Sequence, residues 1–138
     1  MTCCIVPTLR YRDAPAAIAW LCRAFGFERH LVVTGDDGVV EHAQLILGGA
    51  MIMLGSVRQS PFDAVQTTPA AVGGWVTQSP YVIVSAIDAH HARAIAAGAE
   101  IVMPLAAQDY GGKHYACRDP EGHLWNFGSY DPWADPAV

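Results

Sequence analysis

Apolar and polar positions along this chain switch between a period near two and a period near 3.6, and the switches recur in order. An apolar, β-branched run at Cys4–Tyr11 predicts a first strand. Asp13 is then placed to cap a helix, with Pro15 in the first turn, where a missing N–H costs nothing. Ile18, Leu21, Cys22 and Phe25 fall at i, i+3, i+4 and i+7, one helical face for a core, and Gly26 stops the helix. Three strand-like runs follow at Phe27–Thr34, Val39–Leu47 and Met51–Leu54, separated by Gly35-Asp36-Asp37-Gly38 and Gly48-Gly49.

The same order then returns. Tyr81–Ala86 predicts a strand, Asp88 a second helix cap, Ala89–Ala97 a short helix and Gly98 its stop. Strands at Glu100–Leu105, Lys113–Arg118 and His123–Phe127 complete the set, the last two joined by the turn Asp119-Pro120-Glu121-Gly122. A strand–helix–strand–strand–strand order repeated at about 75 residues implies an α+β fold of two βαβββ modules. The expected organisation is one domain over 1–138, with a first module at 1–56, a linker or lid loop at 57–80, and a second module at 81–130.

Composition narrows the function. The chain has 138 residues, 52% hydrophobic and 15% charged, which excludes intrinsic disorder. A net charge of −5 without a basic cluster argues against nucleic acid as a partner, because phosphate neutralisation dominates that affinity. No run approaches the roughly 18 apolar residues of a membrane span. The segment Met1-Thr2-Cys3-Cys4-Ile5-Val6-Pro7 lacks the pattern of a signal peptide, so the expected location is the cytoplasm. There the four cysteines, without CxxC spacing, are expected as free thiols.

The paired module with the ending Arg118-Asp119-Pro120-Glu121-Gly122-His123-Leu124-Trp125-Asn126-Phe127 resembles the vicinal oxygen chelate superfamily, which includes glyoxalase I, fosfomycin-resistance enzymes, extradiol dioxygenases and bleomycin-binding resistance proteins. Leu9-Arg10-Tyr11-Arg12-Asp13 and the His42-Ala43-Gln44-Leu45 strand add to the resemblance, which runs from Val6 to Tyr130. It implies curled, mixed sheets with helices on one face and a cavity on the other. Strand alternation then places Trp125 and Phe127 toward a helix and Asn126 toward the cavity. It likewise aims Val6, Thr8 and Arg10 of the first strand, and His42, Gln44 and Ile46 of the third, at the cavity.

Metal-using members that this chain resembles take one His, Gln or Glu ligand from each of four strands. Those positions fall here at Val6, Met53, within Ser79–Tyr81, and Asn126, and none is a good ligand. No His, Asp or Glu occurs in residues 1–12, 51–57 or 79–86. No metal and no other cofactor is therefore expected. Of the six histidines, His90 and His91 are read as solvated helix residues, His30 as exposed, and His123 as a local hairpin contact. His42 is aimed with Gln44 at the cavity. On the seventh strand, parity leaves open whether Lys113 or His114 faces inward.

The leading expectation is a metal-free member that binds a small or medium organic molecule in its cavity, by sequestration as in bleomycin-binding resistance proteins. The candidate ligand-binding residues are Thr8, Arg10, His42, Gln44, Met53, Trp75, Lys113 and Asn126, with Phe62 and Trp75 as lids or walls from the long loop. No catalytic residue is assigned, and a homodimer is expected. The alternatives are a glyoxalase-like lyase, isomerase or dioxygenase with divergent ligands, and an interaction module with an empty cavity.

Overall fold

Residues 3–134 are described by the structure, a computed structural model, and the two ends of the expected 1–138 domain lie outside the described residues. The first module holds β1 (Thr8–Tyr11), α1 (Ala14–Phe25), β2 (Glu28–Thr34), β3 (Val40–Leu47) and β4 (Ala50–Ser56). The second holds β5 (Tyr81–Ile83), α2 (Ile87–Ala96), β6 (Glu100–Ala107), β7 (Lys113–Arg118) and β8 (Leu124–Gly128). Each module makes one four-stranded sheet, in the orders β1-β4-β3-β2 and β5-β8-β7-β6. In each, the strand before the helix pairs in parallel with the last strand, and the remaining pairs are antiparallel.

Local chemistry accounts for α1. Asp13 Oδ1 accepts from Ala16 N at 3.1 Å, and Gly26, in the left-handed region at φ 88°, donates to Cys22 O. Ile18, Leu21 and Phe25 are buried as the spacing predicts, and Cys22 is half-buried. Ala14, Ala17, Trp20 and Ala24 are buried too, because the helix is enclosed on more than one side. The first sheet lies against it, Phe25 meets Trp125 and Phe127 of the second sheet at 5.3 and 4.6 Å, and Trp20 Nε1 donates to Ala97 O. The two modules thus share one core around α1.

Several boundaries differ from the sequence reading, β4 running to Ser56 and β6 to Ala107 among them. The first strand starts at Thr8 rather than Cys4, since pairing begins at Thr8↔Met53 and Pro7 contributes only its carbonyl, to Met53 N. β5 stops at Ile83 rather than Ala86. Helix α2 begins at Ile87, so Asp88 lies inside the first turn instead of capping it, and no side chain caps this helix. Among the described residues, no helix is long and apolar enough to cross a membrane.

Candidate functional site

Alternation along the strands gives each sheet a core face and an outer face. Leu9, Tyr11, Ala43, Leu45 and Leu54 point into the core of the first module. The outer face therefore carries Thr8 and Arg10 from β1, Met53 from β4, His42 and Gln44 from β3, and Leu31 and Val33 from β2. Registers align these side chains into ranks, with Thr8, Met53, Gln44 and Leu31 opposite one another across four strands. Gln44 Nε2 donates to His42 Nε2 at 3.1 Å, which leaves the neutral imidazole's proton on Nδ1. Leu31 and Val33 are 44% and 40% exposed, so this face ends in uncovered apolar surface.

Arg10 sits at the end of this face. It is 9% exposed, covered by the loop that follows β4. Its Nη2 lies 3.3 Å from Asp63 Oδ1 and donates to Ser60 Oγ, and the Phe62 ring lies 5.4 Å from the guanidinium carbon. Asp63 also accepts from Ser60 Oγ and, through Oδ2, from Arg58 N at 3.1 Å. The Ser60 hydrogen bond, followed by the Arg58 N–H, holds the Asp63 carboxyl below its usual range. Gln66 Nε2, donating to Thr8 O at 2.8 Å, ties the same loop to β1. Within this loop, Ser60, Phe62 and Asp63 are the residues that contact Arg10. Trp75, further along, is 79% exposed.

The second sheet repeats the arrangement. Tyr115, Cys117, Trp125 and Phe127 are fully buried on the core face. Burial pushes the Cys117 thiol up to about 12, which removes it as a nucleophile near neutral pH. Asn126 lies outward, accepting from His114 Nε2 at 3.0 Å and donating to Ser79 Oγ at 2.8 Å. His114, not Lys113, is therefore the outward residue of β7. Lys113 shares the parity of Tyr115 and reaches the helix side, where Nζ meets Asp88 Oδ1 at 2.9 Å. Tyr81 and Ile83 add exposed apolar surface to the outer face. Once the core face of one strand is known, pairing and parity together extend the outer face to Leu31, Val33, Tyr81 and His114. Nothing local marks Asp63, whose role depends on a loop closing back over β1.

His90, expected as a solvated helix residue, is instead structural. His90 Nε2 donates to Phe25 O at 3.0 Å, so its Nδ1 accepts from Tyr115 OH at 2.6 Å, and the ring lies 4.3 Å from Phe127. Burial lowers its pKa. His123 reaches beyond its hairpin, donating to Arg10 O at 2.7 Å and lying 4.6 Å from the Tyr11 ring. His30 is exposed, as expected.

A divalent ion of the kind the resemblance implies does not fit these donors. Val6, the first position expected, lies before β1, and the residue registered with Met53 is Thr8. Thr8, Met53, Tyr81 and Asn126 are poor ligands, and among the described residues no three His, Cys, Asp or Glu side chains come together. A cleft of about 620 Å³ lies along α1 and the Asp119–Glu121 turn, and one of about 680 Å³ lies between Phe27, Met51 and His90, bordered by Tyr81 and Ile83 of the second outer face. None of the eight candidate residues lines either one. Both outer faces are open within a single chain, and no hydrogen bond among the described residues joins side chains of one outer face to those of the other.

Paired βαβββ modules around one helix-filled core, each with an open sheet face, define the class of protein to which this chain belongs by fold. The chain belongs to the Glyoxalase/Bleomycin resistance protein/Dioxygenase superfamily, whose sequence profile matches residues 5–127. It is 36% identical to TioX from Micromonospora sp. ML1, with a TM-score of 0.73 over 92% of this chain and 98% of that one. A Mycobacterium bovis protein is 33% identical over 122 residues, which is 88% of this chain and 80% of the relative. A bleomycin-binding protein in complex with bleomycin shares the fold at 19% identity and a TM-score of 0.65, over 94% of this chain and all of the other (100%).

Proposed function

We propose that the protein binds a small or medium organic molecule against the outer faces of its sheets and holds it without chemical change, a sequestering role. The observation that carries this reading is the composition of the two open faces. Each combines exposed apolar side chains, Leu31 and Val33 on one and Tyr81 and Ile83 on the other, with hydrogen-bonding groups from His42 and Gln44 or from His114 and Asn126. Such a surface suits an amphipathic organic ligand, whose apolar part displaces water while its polar groups meet side chains. A protein of this fold binds bleomycin, which supports a ligand of that size.

A second copy of the chain completes the enclosure in this reading. One open face offers contact on a single side, whereas a ligand held tightly is buried over most of its surface. A two-fold homodimer sets the first outer face of one copy against the second of its partner, the commonest closed symmetry. Nile red, a neutral dye that brightens in apolar surroundings, tests the face directly. Its fluorescence is expected to rise on titration and to fall away in a Val33→Glu, Ile83→Glu double variant. A response unchanged by both substitutions overturns the site. Sedimentation at tens of micromolar is expected to show twice the 14.8 kDa chain mass, and a monomer there overturns the paired arrangement.

A further inference from the structure

We infer that the Arg10 end of the first outer face is a carboxylate subsite, occupied here by the protein's own Asp63 and available to the acidic group of a ligand. The inference deepens the ligand-binding reading above and rests on it. The Nε and Nη2 of an arginine form one edge with two parallel N–H groups, a fork that matches the two oxygens of a carboxylate. In Arg10 that edge is half used. Nη2 meets Asp63 Oδ1 at 3.3 Å, whereas Nε is buried without any hydrogen-bond partner. An unmet donor on a buried cation is costly, so the site is built for a better anion than the one it holds.

Asp63 cannot satisfy the fork. Its Oδ1 is shared with Ser60 Oγ and its Oδ2 is committed to Arg58 N, so the carboxylate reaches Arg10 through one oxygen only. A free carboxylate has no such tether and can meet Nε and Nη2 together.

A second cation reinforces the charge. A methyl group built on Gly55 would lie 2.6 Å from Arg10 Nη1 and 3.2 Å from Arg58 Nη1, so both guanidinium groups converge over this glycine. Glycine at 55 is what leaves room for them. One carboxylate thus faces two guanidinium groups, and His42 stands across from Gly55 on the neighbouring strand, one residue from the Ala43↔Leu54 pair. The surplus is positive although the chain as a whole carries −5. The Phe62 ring over Arg10, together with Val33 and Met53 nearby on the face, suits an aromatic or otherwise apolar acid.

Displacing Asp63 means lifting the loop at Ser60–Asp63, and benzoate, with its neutral amide benzamide as control, tests this. By NMR titration, benzoate is expected to shift the resonances of Arg10, Arg58 and Phe62, and benzamide is not. Asp63→Asn, which keeps the shape and frees the fork, is expected to bind benzoate roughly tenfold tighter, the effect of releasing one charge-assisted hydrogen bond. Arg58→Gln is expected to weaken binding, and Arg10→Lys, which keeps the charge but loses the fork, to abolish the benzoate preference. Equal response to benzoate and benzamide overturns the carboxylate subsite while leaving the neutral-dye reading intact. Absence of any benzoate response in both the natural protein and Asp63→Asn also overturns it, and so does unchanged affinity in Asp63→Asn.

Discussion

Tyr11 and Asp119 stand 108 residues apart and share a 2.6 Å hydrogen bond in the buried seam between the modules. Asp119 Oδ2 also accepts from Trp125 Nε1 at 3.1 Å, and Oδ1 accepts from the N–H groups of Glu121 and His123 at 3.0 Å each. One carboxylate therefore folds the β7–β8 turn and fastens it to β1. The same bond acts on its partner: burial, then the negative charge of Asp119, raise the Tyr11 phenol well above its usual value. On the other side of the turn, Glu121 accepts from the N–H groups of Arg12 and Asp13, at 2.6 and 2.9 Å, where the chain leaves β1 for α1.

Asp119→Ala is expected to cost about 3–5 kcal/mol, because it strands the Tyr11 hydroxyl, the Trp125 indole and two backbone N–H groups together. Tyr11→Phe removes one of four bonds and leaves the carboxylate with three, so about 1–2 kcal/mol is expected. Urea unfolding of the two variants measures the difference. Equal midpoints would show that Asp119 is not the hub.

Neighbours on β8 are expected to differ in the same experiment. Trp125 is fully buried against Phe25 and Phe27, so Trp125→Ala is expected to cost about 3–5 kcal/mol through lost burial and the cavity left behind. Asn126→Ala loses hydrogen bonds to His114 and Ser79 on the half-buried outer face, and about 1–2 kcal/mol is expected. Nile red binding is expected to respond to Asn126→Ala more than stability does.

His90 makes stability depend on pH. Its folded pKa is lowered, chiefly by burial, so below about 6.5 the unfolded chain takes up a proton more readily than the folded one. The unfolded state is then favoured: the His90 contribution is intact above that pH and declines as pH falls from there through the folded value. Facing groups act in both directions: the Phe25 carbonyl, accepting from Nε2, opposes the lowering, and the like charge of Arg93 adds to it. Nδ1 already accepts from Tyr115, Arg93 lies near with a like charge, and Phe25, Phe127 and the Phe25 carbonyl form the remaining wall. Replacing His90 with Gln is expected to flatten the loss of urea midpoint between pH 7 and pH 5. An identical slope in the variant would assign the pH dependence to other groups.

His42→Ala is expected to weaken Nile red binding while changing stability by about 1–2 kcal/mol, since the ring is half-buried and its bond is to one neighbour, Gln44. His114→Ala, at the matching place on β7, is expected to act in the same way from the second module. Both measurements come from one titration series with parallel unfolding curves. Loss of folding in either variant with Nile red binding retained by the folded fraction would overturn the assignment of these histidines to the ligand face.

Periodicity and turn chemistry were enough to read the modules, because the information is local. An Asp-capped helix with Gly26 at its end, and a turn spelled Asp-Pro-Glu-Gly, can be recognised within a few residues. Strand parity likewise decides that Trp125 and Phe127 share one face and Asn126 takes the other, since a pleated strand has only two faces. Parity does not say which face meets a helix, and so Lys113 and His114 could not be ordered until Lys113 was seen against Asp88. The features that only tertiary structure decided all join residues distant in sequence: Trp20 buried by Ala97, His90 drawn between Phe25 and Tyr115, and Asp63 brought across to Arg10. Periodicity reports how one segment divides between core and water. It cannot report which second segment arrives, because that choice is made by packing and by the pairing of charges whose separation in the chain leaves no local trace.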